Sequence, residues 1–238
     1  MPRKPLAPSL ADEHVAAGGV AAVDRAASLL LAFREGDGAL TLGELAARTR
    51  LYKSTALRLL ASLAHAGLLR RTVDGSWAPG PQLPRLAALY ESASPLQDLA
   101  LPVMQALVAR TRESVALHVR QGDQRLCLLR VDSPQLLRDH VRAGDLLPLD
   151  RGAGGRVLLA FGGQRGKLYD RIRSEGHHLA HGDRVPGLAG ISAPVWSGTG
   201  ELVGALTLTV PESRFKPRLV DDLCQAALRL NEALASGR

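Results

Sequence analysis

Thr41–Leu69 reads TLGELAARTRLYKSTALRLLASLAHAGLL. Thr41 followed three residues later by Glu44 is a capping box, in which each side chain satisfies the other's free backbone N–H. It predicts a short helix reaching about Arg48. Leu51-Tyr52-Lys53 breaks the pattern, and a further helix is expected from about Ser54 to Ala66, stopped by Gly67. Its expected buried side carries Leu57, Leu60, Leu63 and Ala64. The opposite stripe carries Thr55, Arg58, Ser62 and His65 at three-to-four spacing.

The flanks complete a unit. Upstream, Val23, Ala26, Ala27, Leu30 and Phe33 recur at helical spacing and predict an amphipathic helix that ends at Glu35-Gly36-Asp37-Gly38. Downstream, Leu68–Val73 and Ser76–Pro79 flank Asp74-Gly75, a strong hairpin signal. Three helices followed by a two-stranded hairpin is the order of a winged helix-turn-helix, assigned to residues 20–82. Residues 1–19 lack periodicity and read as a disordered arm.

A helical stretch from Leu83 to Glu91 reads as a linker helix within residues 83–94, and Ser92–Pro95 marks the boundary of a second domain, 95–238. There the pattern alternates. Helices are expected at Leu96–Thr111, from about Gly155, at Gln164–Glu175 and at Pro217 to about Ala235. Strands are expected at Ser114–Arg120, Arg125–Val131, Leu137–Arg142, Gly190–Trp196 and Leu202–Val210. The fold class is therefore α+β, with two domains.

Composition narrows the partners. The 238 residues carry 30 Lys+Arg against 23 Asp+Glu, a formal charge of +7, which favours a polyanion. Aromatics make up only 3% of the chain, too few for the stacking platforms that single strands and RNA loops need, so duplex DNA is the better fit. No apolar run approaches the roughly 18–20 residues of a membrane span. The basic start meets Asp12, Glu13 and His14 before any apolar stretch forms, which argues against a secretory signal and for the cytoplasm. Two distant cysteines, Cys127 and Cys224, suggest neither a disulfide framework nor a zinc cluster.

Between Thr41 and Arg71 stand six basic residues (Arg48, Arg50, Lys53, Arg58, Arg70, Arg71) against the single acid Glu44. In a major groove, Arg58 can reach guanine O6 and N7, and the hydroxyls of Ser54, Thr55 and Ser62 can reach base edges or phosphate. Lys53 and the wing arginines Arg70 and Arg71 are expected on phosphates, and Arg48 is a further DNA-binding candidate.

These motifs together resemble the DNA-binding segment of the IclR family of bacterial transcriptional regulators, whose pattern runs L-S-E-L-A, a short turn, K-S-T-x-x-R-L-L-x-x-L and G-L. Val23–Leu31 is similar to the family's first helix, and Pro95–Leu159 and Gly187–Phe215 resemble its effector domain. Arg50 stands where the family has a turn glycine, and Tyr52 where it has proline. The resemblance implies a GAF/profilin-like effector-binding domain and a linker helix that helps pair subunits into a homodimer or homotetramer. A two-fold dimer would read a pseudo-palindromic operator.

In the second half, Asp150-Arg151-Gly152-Ala153-Gly154-Gly155-Arg156 precedes an apolar helical run, and small residues there let backbone N–H groups converge on a carboxylate or phosphate. The spacing fits neither a P-loop nor a dinucleotide fingerprint. Alternation puts Thr207 and Thr209 on one strand face. The resemblance implies that Ala153, Gly154, Thr207, Thr209, Gly190 and the strand residues Leu136, Asp139 and His140 line the effector pocket. It also implies a shortened segment between Phe161 and Gly187, with Ala180 at the position of a family acid. The expected effector is a small organic acid; no cofactor and no metal are expected.

Two rival readings remain at this level. One is a metal-binding sensor or enzyme built on a His177–His181 loop. The other is a ligand-independent DNA binder, favoured by the shortened 161–187 segment, which a polar-lined cavity would count against. Ser192 in G-I-S-A-P lacks the final glycine of a nucleophile elbow, and Ser213 and Lys216 do not share a helical face.

Overall fold

The computed structural model describes residues 8–13, 15–34, 36–92 and 95–236. The chain divides into two compact units, Met1–Ala93 and Ser94–Arg238.

In the first unit, α1 (Leu10–Glu13), α2 (Ala21–Leu31), α3 (Leu42–Thr49) and α4 (Lys53–His65) precede the hairpin β1 (Leu69–Arg71) and β2 (Trp77–Pro79), followed by α5 (Gln82–Ser92). Residues 10–13, expected in a disordered arm, form the one-turn α1; residues 1–7 and His14 lie outside the described residues, as do Glu35, Ala93 and Ser94. The capping box forms in full: Thr41 Oγ1 accepts from the Glu44 N–H at 3.2 Å, and Glu44 accepts from the Thr41 N–H at 2.8 Å. Arg50 ends α3 at φ +56°, the left-handed conformation that glycine adopts most cheaply. Leu40 exchanges two backbone hydrogen bonds with Trp77 and extends the hairpin into a wing.

The core of this unit joins Leu29, Leu45, Ala56, Leu60, Leu63, Leu69 and Trp77. Two expected core positions fall outside it. Val23 is 64% exposed, and the residue of α2 that is fully buried is Leu29. Leu57 is 45% exposed, because Ala56, Leu60 and Leu63 turn the buried side of α4 away from it.

The second unit runs α6 (Pro95–Thr111), β3 (Ser114–Gln121), β4 (Gln124–Val131), β5 (Leu146–Pro148), α7 (Gly152–Phe161), α8 (Lys167–Glu175), β6 (His178–His181), β7 (Leu188–Trp196), β8 (Leu202–Pro211) and α9 (Arg218–Ser236). Its sheet is antiparallel throughout, in the order β5-β4-β3-β8-β7-β6. Alternation divides the side chains between two faces. Val115, Leu117, Ile191, Leu206 and Leu208 pack with Met104, Leu107, Leu223 and Leu230 of α6 and α9. Ala205 packs on the other face with Val157 and Leu158 of α7 and Ile172 of α8.

Two expectations are corrected here. The strand expected at Leu137–Arg142 is a loop, and the outer neighbour of β4 is β5, with Leu126 opposite Leu146. A strand is precluded there because the Asp139 carboxylate is drawn into the protein by Arg130 and Arg184. The histidine loop is instead the edge strand β6, which puts His178 and His181 on opposite faces of the sheet. His181 lies 3.6 Å from Glu212 and packs edge-on against Phe215, so the three histidines do not converge.

Candidate functional site

On α4, Lys53, Ser54, Arg58, Ser62 and His65 are exposed and Thr55 is half-buried. Among the described residues, no hydrogen bond or ion pair holds the side chains of Lys53, Arg58 or Arg70. They are cations presented to solvent with no carboxylate at ion-pair distance among the described residues. Arg71 lies over the Trp77 ring, 5.9 Å from its centroid, and reaches the Gly75 carbonyl. Ser62 donates back to the Arg58 carbonyl at 3.3 Å, leaving its lone pairs outward.

Arg48, a DNA-binding candidate from the sequence, is engaged within the protein. It donates to the Asp37 carboxylate with both terminal nitrogens and to the Ala32 carbonyl, tying α3 to the loop after α2. Arg48 beside it holds the Asp37 carboxyl down at about 2. The guanidinium is a structural cross-link.

The second unit contains a cavity of about 30 Å³ on the α7 face of the sheet. It is lined by Ala153, Gly154, Gly190, Thr207, Thr209 and Asp139, the expected residues that the fold brings together. Leu136 is fully exposed, and His140 is exposed in a neighbouring surface groove; neither lines the cavity. The disposition of Asp139 explains this. Its inward carboxylate anchors the loop and leaves Leu136 and His140 outside.

The glycines of 152–155 form the first turn of α7, with Arg151 as its N-cap. The Gly152 N–H already donates to Asp183 at 2.7 Å, and Asp183 also bridges to Arg156. Ala180, the implied position of an acid, lines the cavity as alanine, while Asp183 supplies the carboxylate.

Sequence reasoning missed the polar core of the cavity: His118, Arg125, Arg130, Asp183 and Arg184. Arg125 is 2% exposed; burial, and then Arg184, pull its guanidinium down to about 10. Burial pushes His118 well below its ordinary range, with Arg125, Arg184 and Arg130 adding to the effect. The one available signal was the glycine cluster itself. A Cβ on Gly155 would fall 2.2 Å from the Leu149 carbonyl oxygen and 2.5 Å from Arg125 Nη1, and one on Gly154 would fall 2.8 Å from Thr207 Oγ1. Close packing therefore explains two of these glycines, Gly154 against polar side chains and Gly155 first against the Leu149 backbone and then Arg125.

A winged helix-turn-helix with unpaired cations on its exposed helix, joined in one chain to an α/β unit with a polar cavity, defines a ligand-responsive DNA-binding regulator. The sequence matches the family model for the IclR helix-turn-helix domain over residues 22–72 and that for the bacterial transcriptional regulator IclR C-terminal domain over residues 88–169. The chain belongs to the IclR family of transcriptional regulators.

Among its relatives, the HTH-type transcriptional regulator BhcR of Paracoccus denitrificans is 26% identical, with 92% of this chain and 88% of the relative covered. The HTH-type transcriptional repressor AllR of Escherichia coli is 22% identical, covering 85% and 84%. An IclR homolog from Microbacterium hydrocarbonoxydans, solved in complex with 4-hydroxybenzoate, superposes with a TM-score of 0.79 at 25% identity, covering 90% of this chain and 99% of that one. The relatives are regulators rather than enzymes. No helix of the described residues is long and apolar enough to cross a membrane.

Proposed function

We propose that this regulator is a cytoplasmic repressor that binds a pseudo-palindromic operator as a homodimer or homotetramer and is controlled by a small organic acid. Arg58, Ser54, Thr55 and Ser62 read base edges or adjacent phosphates, and Lys53, Arg70 and Arg71 hold phosphates. The observation that carries this assignment is that, among the described residues, no hydrogen bond or ion pair engages the side chains of Lys53, Arg58 and Arg70 on the exposed helix and wing.

The acid reading draws on the cavity's charge. Arg125, Arg130 and Arg184 outnumber Asp139 and Asp183 around it. The acid bound by the Microbacterium homolog points the same way. Ala153, Gly154, Gly190, Thr207, Thr209 and Asp139 form the rest of the wall. A ligand changes operator affinity only if it binds the DNA-competent and incompetent states unequally.

Genome-wide capture of bound promoters, followed by anisotropy titration on those fragments with and without short organic acids, tests the proposal. Shared palindromic sequence and acid-dependent release are expected. Binding without sequence preference, or release by uncharged compounds alone, would overturn it.

A further inference from the structure

Arg125 and His118 line one cavity, and each keeps a buried nitrogen without a hydrogen-bond partner: Nε of Arg125 and Nε2 of His118. A buried polar atom left unpaired costs free energy, and a buried unpaired charge costs more. Arg125 spends Nη1 on the carbonyls of Pro148 and Arg151. No carboxylate lies within ion-pair distance of it among the described residues; Asp183 and Asp150 act on it only from farther away. Arg130 and Arg184, by contrast, share Asp139. Among the described residues, Arg125 is thus a lining guanidinium with no carboxylate at ion-pair distance.

The proton on His118 can be placed by counting. Three contacts form a chain: Ser192 Oγ to the Leu206 carbonyl at 2.9 Å, Ser192 Oγ to Thr207 Oγ1 at 3.0 Å, and Thr207 Oγ1 to His118 Nδ1 at 3.2 Å. Each contact needs one proton, and the two hydroxyls own two between them. A carbonyl only accepts, so Ser192 donates to Leu206, Thr207 donates to Ser192, and the third proton sits on His118 Nδ1. Burial keeps the imidazole neutral. Nε2 is therefore a bare, buried acceptor on a residue that lines a cavity with an excess of positive charge.

A ligand complementary to both atoms brings an anion and a neutral donor together. An ammonium donor is disfavoured, because three arginines line the cavity against two carboxylates. The volume, about 30 Å³, has room for about two or three waters and favours a short molecule. Building on the effector reading above, we propose that the ligand is a short-chain hydroxy acid whose carboxylate pairs with Arg125 and whose hydroxyl donates to His118 Nε2. The α7 N-terminus is not its principal anchor, since Asp183 already occupies the Gly152 N–H.

Two measurements on the full-length protein test this. Nitrogen NMR of labelled histidine should find His118 as the Nδ1–H tautomer at neutral pH; the Nε2–H form would overturn the proposal. Calorimetry should compare lactate with propionate and glycolate with acetate. The hydroxy acid of each pair is expected to bind at least about tenfold tighter, the worth of one well-formed hydrogen bond. Thr207→Val removes the acceptor that fixes the tautomer, so it should erase this preference while retaining acid binding. Arg125→Met should abolish binding of both members of each pair. Equal affinity within each pair would overturn the hydroxyl assignment and leave the organic-acid reading standing. Failure of all four acids to bind would overturn that underlying reading as well.

Discussion

Asp183 accepts a hydrogen bond from the Gly152 N–H at 2.7 Å and sits 3.4 Å from Nε and Nη2 of Arg156. The protein thus places its own carboxylate at the positive end of α7, where anions are favoured. Partial burial works against the charged form, but Arg156 and the Gly152 N–H outweigh it and hold the carboxyl below its usual range. Asp183→Asn should keep the backbone hydrogen bond and remove the charge. Thermal unfolding should show a loss of about 1 kcal/mol or less, since the pair is partly solvated. Affinity for an anionic effector should rise severalfold, measured by calorimetry, because one negative charge leaves the cavity wall.

Arg48 and Asp37 set a different expectation. The Arg48 guanidinium, joined by the Arg34 backbone N–H, lowers the Asp37 carboxyl to about 2 from an ordinary 3.8. A carboxyl lowered in the folded state stabilises above its unfolded value and loses that contribution as pH falls toward its folded value. Acid titration followed by circular dichroism should therefore show part of the first unit's stability disappearing between about pH 4 and pH 2. Asp37→Asn should flatten that segment of the curve. If Arg48 were instead a phosphate contact, Arg48→Met would lower the salt slope of DNA binding; an unchanged slope is expected.

Arg50 occupies the left-handed region at φ +56°, where a side chain costs roughly 1 kcal/mol that glycine avoids. Its exposed ion pair with Glu13, at 2.7 Å, offsets little of this. Arg50→Gly should raise the thermal midpoint of the first unit by a few degrees in calorimetry. A fall would mean that the pair with Glu13 outweighs the backbone strain.

How much of this was legible in the sequence depends on the range of the interaction. The Thr41–Glu44 capping box and the Asp74-Gly75 turn are set by neighbours two or three residues apart, and both form where the sequence places them. The common face of Thr207 and Thr209 follows from strand alternation alone. Arg125 was illegible because an arginine next to a hairpin turn reads as a solvated side chain. Gly152 and Gly155, about thirty residues later, leave room for its buried guanidinium. Leu136 and His140 were misplaced for the same reason. The ion pairs of Asp139, not local strand propensity, decide the path of residues 132–145.

Arg58 and Arg70 carry the same charge on different elements, and their loss should be distinguishable. Arg58 projects from the exposed side of α4, where a major-groove contact reads bases, whereas Arg70 lies on the wing. Arg58→Ala should cost about 1–3 kcal/mol on the operator and little on unrelated DNA, so that specificity collapses. Arg70→Ala should weaken both about equally and reduce the slope of log affinity against log salt by about 1. Both substitutions replace exposed side chains that make no hydrogen bond or ion pair among the described residues, so thermal stability should stay within about 0.5 kcal/mol of the parent. Equal loss of specificity in the two variants would show that the wing reads sequence too, and the division of labour between helix and hairpin would fail.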